Sequence, residues 1–292
     1  MLYDVAALTA AFSVAMSNII SPPAIRHLGP VLFNCWRLGA ALLALMALVA
    51  ARGSWTWPSA GQLLALIGSS MMGIVLGDSF IYAAMRRLGP RRTALLYTTW
   101  APFAALMGYL ILGEDLSPTK AAGVLLVVIG AFLAISYRDA GNASEKIEGS
   151  LGAGILLGLL GGLCAAGAVL IVRPVMAAGV DPAAAATIRA AAGLVGLVVL
   201  SQVPGFTSPG RINGPIAVRS VASGLLGMGA GMTLVLFALS MRPVGVVSTL
   251  SSMTPVLILP LLWLVHGARP APLAWIGALV AVMGVSAISS GW

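Results

Sequence analysis

The sequence has very few charged residues. Aspartate, glutamate, lysine and arginine make up only 8% of its 292 residues, whereas hydrophobic residues make up 60%. A soluble domain carries about 25% charged residues, because its surface faces water. So low a charge excludes a water-facing surface for most of the chain, and so apolar a composition excludes disorder. The mean hydropathy of +1.03 indicates that most of the chain lies in lipid.

Cysteine and histidine are also scarce. Cys35 and Cys164 both lie in apolar runs and provide no disulfide framework, and His27 and His266 are too far apart in sequence to suggest a metal site. The glycines include no phosphate-binding Gly-Lys-Ser/Thr loop. We therefore predict no metal, no cofactor and no ATP-driven pump. The formal charge of +8 is scattered between apolar segments, which favours contact with lipid headgroups over nucleic acid.

Long apolar segments fill the chain. A membrane helix needs about 20 mostly apolar residues, and the sequence predicts an all-α integral membrane protein with ten transmembrane helices. The first is expected to stay in the protein, because it lacks the basic start of a cleavable signal. The predicted spans are Leu2–Ile20, Val31–Ala50, Gly61–Met85, Thr93–Leu112, Thr119–Tyr137, Ser150–Val172, Pro182–Val203, Val218–Leu239, Val244–Val265 and Leu273–Ser289.

The two halves of the chain share landmarks at a nearly constant offset. Arg37 and Arg189 are 152 residues apart, and Pro102 and Pro255 are 153 apart. Three further pairs are 154 residues apart: Pro118 with Pro272, Gly123 with Gly277, and Gly130 with Gly284. We predict two five-helix repeats, residues 1–137 and 150–292, joined by a polar linker at 138–149. An odd number of spans inverts the second repeat, as in many alternating-access transporters; a duplication without alternating access is the alternative.

Several motifs resemble those of a known family. Residues 78–95, followed by Trp100-Ala101-Pro102 and Leu112-Gly113-Glu114, resemble the EamA branch of the drug/metabolite transporter (DMT) superfamily. The second copy has Ala238-Leu239 and Thr254-Pro255, but Gly267-Ala268 stands where the first has Gly113-Glu114. The resemblance implies a ten-helix, multi-pass carrier of small metabolites in a bacterial-type inner (plasma) membrane. It also implies a central cavity between the halves and, commonly, export.

Charged residues within the predicted spans are the sharpest indications of function, because a charge in hydrocarbon costs about 2.5–3.5 kcal/mol on insertion scales. Arg37 and Arg189 each lie seven residues into a helix, about 10 Å deep at 1.5 Å per residue. Each guanidinium could hold a substrate carboxylate, or could snorkel to the interface or pair with an acid.

Asp78 is the acid at the middle of a span, with Tyr82 one helical turn later. Without a partner it would favour its protonated form, which suits proton coupling, whereas pairing with Arg37 would make it structural. Asp4 and Glu114 lie near span ends, where solvated or topological roles are expected.

Polar and aromatic side chains elsewhere in the spans could line a pathway. The candidate substrate-binding residues added on this ground are Asn18, Tyr97, Trp100, Ser248 and Ser252. Pro102, Pro255 and Pro260 are candidate hinges, because proline permits a kink in a membrane helix. The alternative for the hydroxyl groups is that they bond to backbone carbonyls that proline frees, or join helices.

Together these features favour a secondary-active transporter of small metabolites such as amino acids, with the lipid bilayer and a small-molecule substrate as partners and a monomer or homodimer as the assembly. Efflux of cationic or amphipathic drugs is the alternative within transport. A lipid-directed membrane enzyme and a channel or scaffold are alternatives of other classes. An enzyme is disfavoured because the acids are scattered and the histidines are distant.

Two observations disagree on orientation. The loops on one side of the predicted membrane carry ten basic residues and those on the other side carry four. The positive-inside rule therefore places the N-terminus outside, whereas the family resemblance implies that both termini lie in the cytoplasm.

Overall fold

The computed structural model describes residues 2–53, 55, 57–88, 93, 96–136, 150–202, 211–254, 256–257, 260–261 and 272–289. Every regular element in these ranges is a helix, which confirms the all-α prediction. In chain order they are α1 Leu2–Ile20, α2 Pro22–Leu28, α3 Pro30–Arg52, α4 Ala60–Leu88, α5 Trp100–Leu112, α6 Pro118–Ser136, α7 Leu151–Ala177, α8 Pro182–Ser201, α9 Gly214–Met241, α10 Val244–Ser251 and α11 Pro272–Ser289.

The helices fit a chain that crosses a membrane several times. Six of them, α1, α3, α4, α7, α8 and α9, are long and apolar enough to span a bilayer. Shorter apolar stretches lie in α5, α6 and α11. The protein is thus a multi-pass membrane protein, and the count of ten spans stays a prediction.

Residues with a clear local role begin and end the helices. Ser59 starts α4 with a reciprocal capping box, in which its side chain accepts from Gln62 N–H and the Gln62 side chain accepts from Ser59 N–H. Asp181 starts α8 by accepting a 2.8 Å hydrogen bond from Ala184 N–H. Gly53 ends α3 at a φ of +60°, where a side chain would be strained.

Some helix boundaries differ from the predicted ones. The chain forms the short helix α2 in the interval between the first two predicted spans, because Pro22 and Pro23 occupy its first turn, where a missing N–H costs nothing. Helix α7 continues through Pro174 to Ala177, beyond its predicted end at residue 172. Helix α5 begins at Trp100 rather than Thr93, because a turn precedes it.

Two long helices each contain a π-helical segment that the sequence did not predict. In α4 it covers Met71–Asp78, and in α9 it covers Gly224–Gly231. The two segments begin 153 residues apart, within the offset of the sequence landmarks. Such segments shift the register of a helix and are frequent at functional sites. We refer to them as the first and second π segments.

Repeat-related helices pack against each other across the two halves. Helix α3 packs on α8, and α6 packs on α11. In the second pair, a Cβ on Gly130 would lie 2.5 Å from the carbonyl oxygen of Gly277, and a Cβ on Gly284 would lie 2.7 Å from that of Gly123. Helices α6 and α11 therefore approach to backbone contact, which only small residues allow.

Candidate functional site

Arg37 of α3 is buried beside the only acid that we predicted at the middle of a span. Its side chain is 7% exposed, and its Nη1 lies 3.8 Å from Oδ2 of Asp78. The same nitrogen donates a hydrogen bond to the Tyr82 hydroxyl. Asn34, one helical turn before Arg37, donates from Nδ2 to the same Asp78 oxygen at 3.3 Å. Asp78 is thus paired, the arrangement that the sequence analysis allowed as the alternative to an unpartnered acid.

Arg37 also contacts the second π segment, which belongs to the other half. A Cβ on Gly224 would collide with the carbonyl oxygen of Arg37, and a Cβ on Gly227 would collide with its Nη2. The missing side chains of these two glycines make the space that the arginine occupies. Its position therefore depends on both halves of the protein.

Arg189 of α8 has the corresponding position in the second half of the chain, where it lies against the first π segment, which belongs to the first half. Its carbonyl oxygen accepts a 2.6 Å hydrogen bond from Ser70 Oγ, immediately before the first π segment. A Cβ on Gly73, inside that segment, would lie 3.6 Å from Nη2 of Arg189. Gly73 and Gly227 are 154 residues apart, so they are repeat-related. Each buried arginine thus lies against the π segment of the opposite half.

The two arginines differ in their partners. Within the ranges that the structure describes, no carboxylate forms an ion pair with Arg189, whereas Nε lacks a hydrogen-bond partner in both arginines. Asp78 acts on it only through a longer-range electrostatic interaction. The residue 153 positions after Asp78 is Gly231, so the second half lacks the acid that neutralises Arg37.

Aromatic rings lie next to the Arg37–Asp78 pair. Tyr82 is buried, and its ring packs edge-on against Phe33 with centroids 5.5 Å apart. Tyr97 packs against the cluster that contains Phe33 and Tyr82 and stacks on Trp100, with ring centroids 6.0 Å apart and planes 18° from parallel. Six of the predicted site residues therefore lie in one region, namely Arg37, Asp78, Tyr82, Tyr97, Trp100 and Arg189.

The remaining predicted residues are placed differently. Ser248 and Ser252 are buried, and their hydroxyl groups donate to carbonyl oxygens of their own segment, those of Gly245 at 3.0 Å and Ser248 at 2.8 Å. Asn18 is half-buried near the end of α1. Where the structure describes them, none of these side chains hydrogen-bonds to the two arginines.

Of the predicted hinge prolines, Pro102 lies in the first turn of α5, and Pro260 is half-buried in a short helical stretch. Pro255 falls outside the described residues.

Ion pairs join the halves at the helix ends on one face. Asp4, at the start of α1, accepts from Arg242 Nη2 at 2.6 Å, just after the end of α9. Glu114, just after α5, lies 3.7 Å from Nε of Arg173 in α7 and accepts from Val244 N–H at 2.9 Å. We call this the ion-pair face. Of the solvated or topological roles expected of Asp4 and Glu114, the solvated one is wrong, because their side chains are only 18% and 15% exposed.

The sequence of the chain matches the model of one known family over nearly its whole length. The sequence model of the EamA-like transporter family matches residues 1–136 and, separately, residues 152–290. The chain belongs to the EamA-like transporter family. The resemblance is confirmed, and with it a two-repeat architecture of the DMT type. This EamA-family protein is therefore a membrane transporter, and members of its family are not enzymes.

Solved structures support the fold. The crystal structure of one protein matches this chain with a TM-score of 0.79 and a sequence identity of 18%. The match covers 99% of this chain and 96% of that one. In all, 29 chains of solved structures match significantly. At this identity the likeness concerns the fold alone. No curated protein matches the sequence.

Proposed function

We propose that this EamA-family transporter is a secondary-active carrier that exports small metabolites such as amino acids across the inner membrane by alternating access between its two halves. The observation that carries the proposal is the reciprocal burial of Arg37 and Arg189, each against the π segment of the opposite half. A movement of one half relative to the other changes both environments at once, as alternating access requires.

The burial of two arginine side chains within the spans is costly, and this supports a functional site. A guanidinium within a span costs about 2.5–3.5 kcal/mol on insertion scales and is retained mainly where it lines a substrate or ion pathway. Among the described residues, Asp78 is the one carboxylate that forms an ion pair with either arginine. Because Asp78 is paired with Arg37, it would carry a proton only if this pair opened during the transport cycle. The excess positive charge disfavours cationic drugs as substrates.

The ion-pair face is the candidate closed gate. One ion pair between the halves joins Asp4 of α1 to Arg242, just after α9. The other joins Glu114, just after α5, to Arg173 of α7. A cavity of about 20 Å³ beside Glu114 and Gly245 has room for a water molecule but not for a metabolite. In this conformation the binding region would exchange with the opposite face.

Replacing Glu114 with glutamine should loosen this gate. Glutamine retains an acceptor for Val244 N–H but removes the charge that faces Arg173, a loss of about 1 kcal/mol for a partly exposed pair. We expect a cysteine at Ser248, which is buried, to react several-fold faster with an impermeant thiol reagent applied from the ion-pair face. The measurement is the labelling rate in vesicles of known orientation, with Cys35 and Cys164 replaced by serine.

Asp115→Asn is the matched control. Asp115 pairs with Lys120 at 2.8 Å, but both residues belong to the first half and Asp115 is 73% exposed. Its loss should leave the labelling rate unchanged. Equal rates in the two variants would contradict a gate at Glu114.

Flux in proteoliposomes tests transport itself. Purified protein is reconstituted and supplied with labelled amino acids and other small metabolites, with and without an imposed proton gradient, in both directions. We expect saturable flux of at least one compound that the Arg37→Gln variant carries more slowly. Absence of flux for every compound in both directions would count against a carrier, and ion currents above carrier rates would indicate a channel.

A further inference from the structure

We propose that the site binds a substrate with one net negative charge, such as a carboxylate anion, and that Arg189 is the residue that holds this charge. Arg37 then has a different role, that of a positioning residue whose charge Asp78 neutralises. This inference rests on the proposed transport function and adds the charge class of the substrate and the identity of the binding residue.

The charge at the site is unbalanced within the described residues. Two buried guanidiniums face a single carboxylate, and that carboxylate already lies against Arg37 Nη1 and accepts from Asn34 Nδ2. Arg189 is 8% exposed and has no ion pair among these residues. A buried charge needs a counter-charge. A ligand with one negative charge would bring the site to neutrality.

The backbone of Arg189 is fixed, and one of its side-chain donors is unsatisfied. Its carbonyl oxygen accepts a hydrogen bond from Ser70, which fixes the backbone of α8 against α4. A Cβ at position 73 would lie 2.7 Å from the Cβ of Ala168 and 3.6 Å from Nη2 of Arg189, so glycine lets the first π segment pack closely beside the guanidinium. Nε is buried without a hydrogen-bond partner. A carboxylate is the group whose two oxygens match the paired donors of a guanidinium.

The same contacts disfavour cations and neutral zwitterions. An ammonium group requires an acceptor, preferably a carboxylate, and the carboxylate of Asp78 is already engaged by Arg37 and Asn34. A zwitterion that bound Arg189 would leave its own ammonium beside a region of net positive charge. Among amino acids, the inference therefore favours acidic ones, which carry one net negative charge at neutral pH.

Ligand-induced stabilisation tests the charge class. The probes are acetate, butyrate, hexanoate and glutamate as mono-anions, glutamine and leucine as zwitterions, and lysine and hexylamine as cations, all at equal ionic strength. We expect at least one mono-anion to raise the Tm of the purified protein, because a ligand that binds the folded state stabilises it. Zwitterions and cations should raise it less at the same concentration.

Variants test the assigned residue. Arg189→Gln should raise the half-saturating concentration of the active mono-anion about 10- to 100-fold, the effect of losing a charge-assisted hydrogen bond. Arg189→Lys should retain part of the binding, because it keeps the charge without the paired donors. Arg219→Gln, at an exposed position of α9, should bind like the wild type. Stabilisation by zwitterions or cations alone, by no probe, or to the same extent in Arg189→Gln would overturn the inference.

Flux of the same probes separates this inference from the proposed function. If a zwitterion or cation is carried and no mono-anion is, the protein is a carrier but the charge class is wrong. If a mono-anion binds through Arg189 but no probe crosses the membrane, the site assignment holds and the carrier function fails. Flux of a mono-anion that Arg189→Gln reduces supports both.

Discussion

Replacing Arg37 with methionine is expected to destabilise the protein by about 3 kcal/mol, because it leaves a largely buried carboxylate without its cation. Asp78 would keep the hydrogen bond from Asn34 and the longer-range attraction of Arg189, but the Tyr82 hydroxyl would lose the donor that it now has in Arg37. Methionine fills most of the space of the arginine stem, so the loss reflects charge rather than packing. The measurement is the free energy of unfolding of the purified protein in detergent.

A double variant of Arg37 and Asp78 provides the control for this prediction. Asp78→Asn in the Arg37→Met background removes the unpaired charge and should recover a large part of the lost stability, so the two substitutions should be strongly non-additive. The Asp115–Lys120 pair, whose acid is 73% exposed, serves for comparison, and Lys120→Met should cost no more than about 1 kcal/mol. Additive effects of the Arg37 and Asp78 substitutions would show that the two residues do not stabilise each other.

Replacing Gly130 with leucine is expected to separate α6 from α11 and to lower stability by about 1–3 kcal/mol or more, the usual cost of overpacking. Even the Cβ of alanine would lie 2.5 Å from the carbonyl oxygen of Gly277 and 2.8 Å from Cα of Ala281. Both neighbours are backbone atoms, which cannot turn aside as a flexible side chain can. Thermal unfolding in detergent measures the effect, and Gly130→Ala should show a smaller loss than Gly130→Leu.

Gly39→Ala is the matched control for the substitutions at the contact between α6 and α11. Gly39 lies in the middle of α3, and a Cβ there would meet no atom within 4 Å. Alanine favours a helix by about 0.5–1 kcal/mol over glycine, so this substitution should be neutral or stabilising. A Gly130→Ala variant as stable as Gly39→Ala would contradict a backbone contact between α6 and α11.

The helices and the charged centre could be predicted from the sequence because both depend on strong local signals. An apolar run of about 20 residues has few alternatives in lipid, and prolines at positions such as Pro30 and Pro182 start helices where their missing N–H costs nothing. Arg37 and Arg189 were identifiable because a charge in such a run is rare. The offset between them also revealed the repeat.

The π segments and the ion-pair face could not be predicted because they depend on contacts between distant parts of the chain. Gly73 and Gly227 look like ordinary packing glycines until each is seen against the arginine of the other half. Glu114 looks like a loop residue, yet the N–H group that it accepts from belongs to Val244, 130 residues later. The sequence of the loop carries no signal of that partner.

Reaction of a cysteine placed at Ser79 tests most directly whether water reaches the charged centre from one face at a time. Ser79 follows Asp78, and its hydroxyl oxygen is buried without a hydrogen-bond partner in the described residues. In a background without Cys35 and Cys164, the rate of modification by an impermeant thiol reagent is measured from each face of oriented vesicles. Alternating access predicts reaction from the face opposite the ion pairs, and a shift toward the ion-pair face when Glu114→Gln and Arg242→Gln are added. Failure to react from either face with or without these substitutions, or equal reaction from both faces at once, would contradict it.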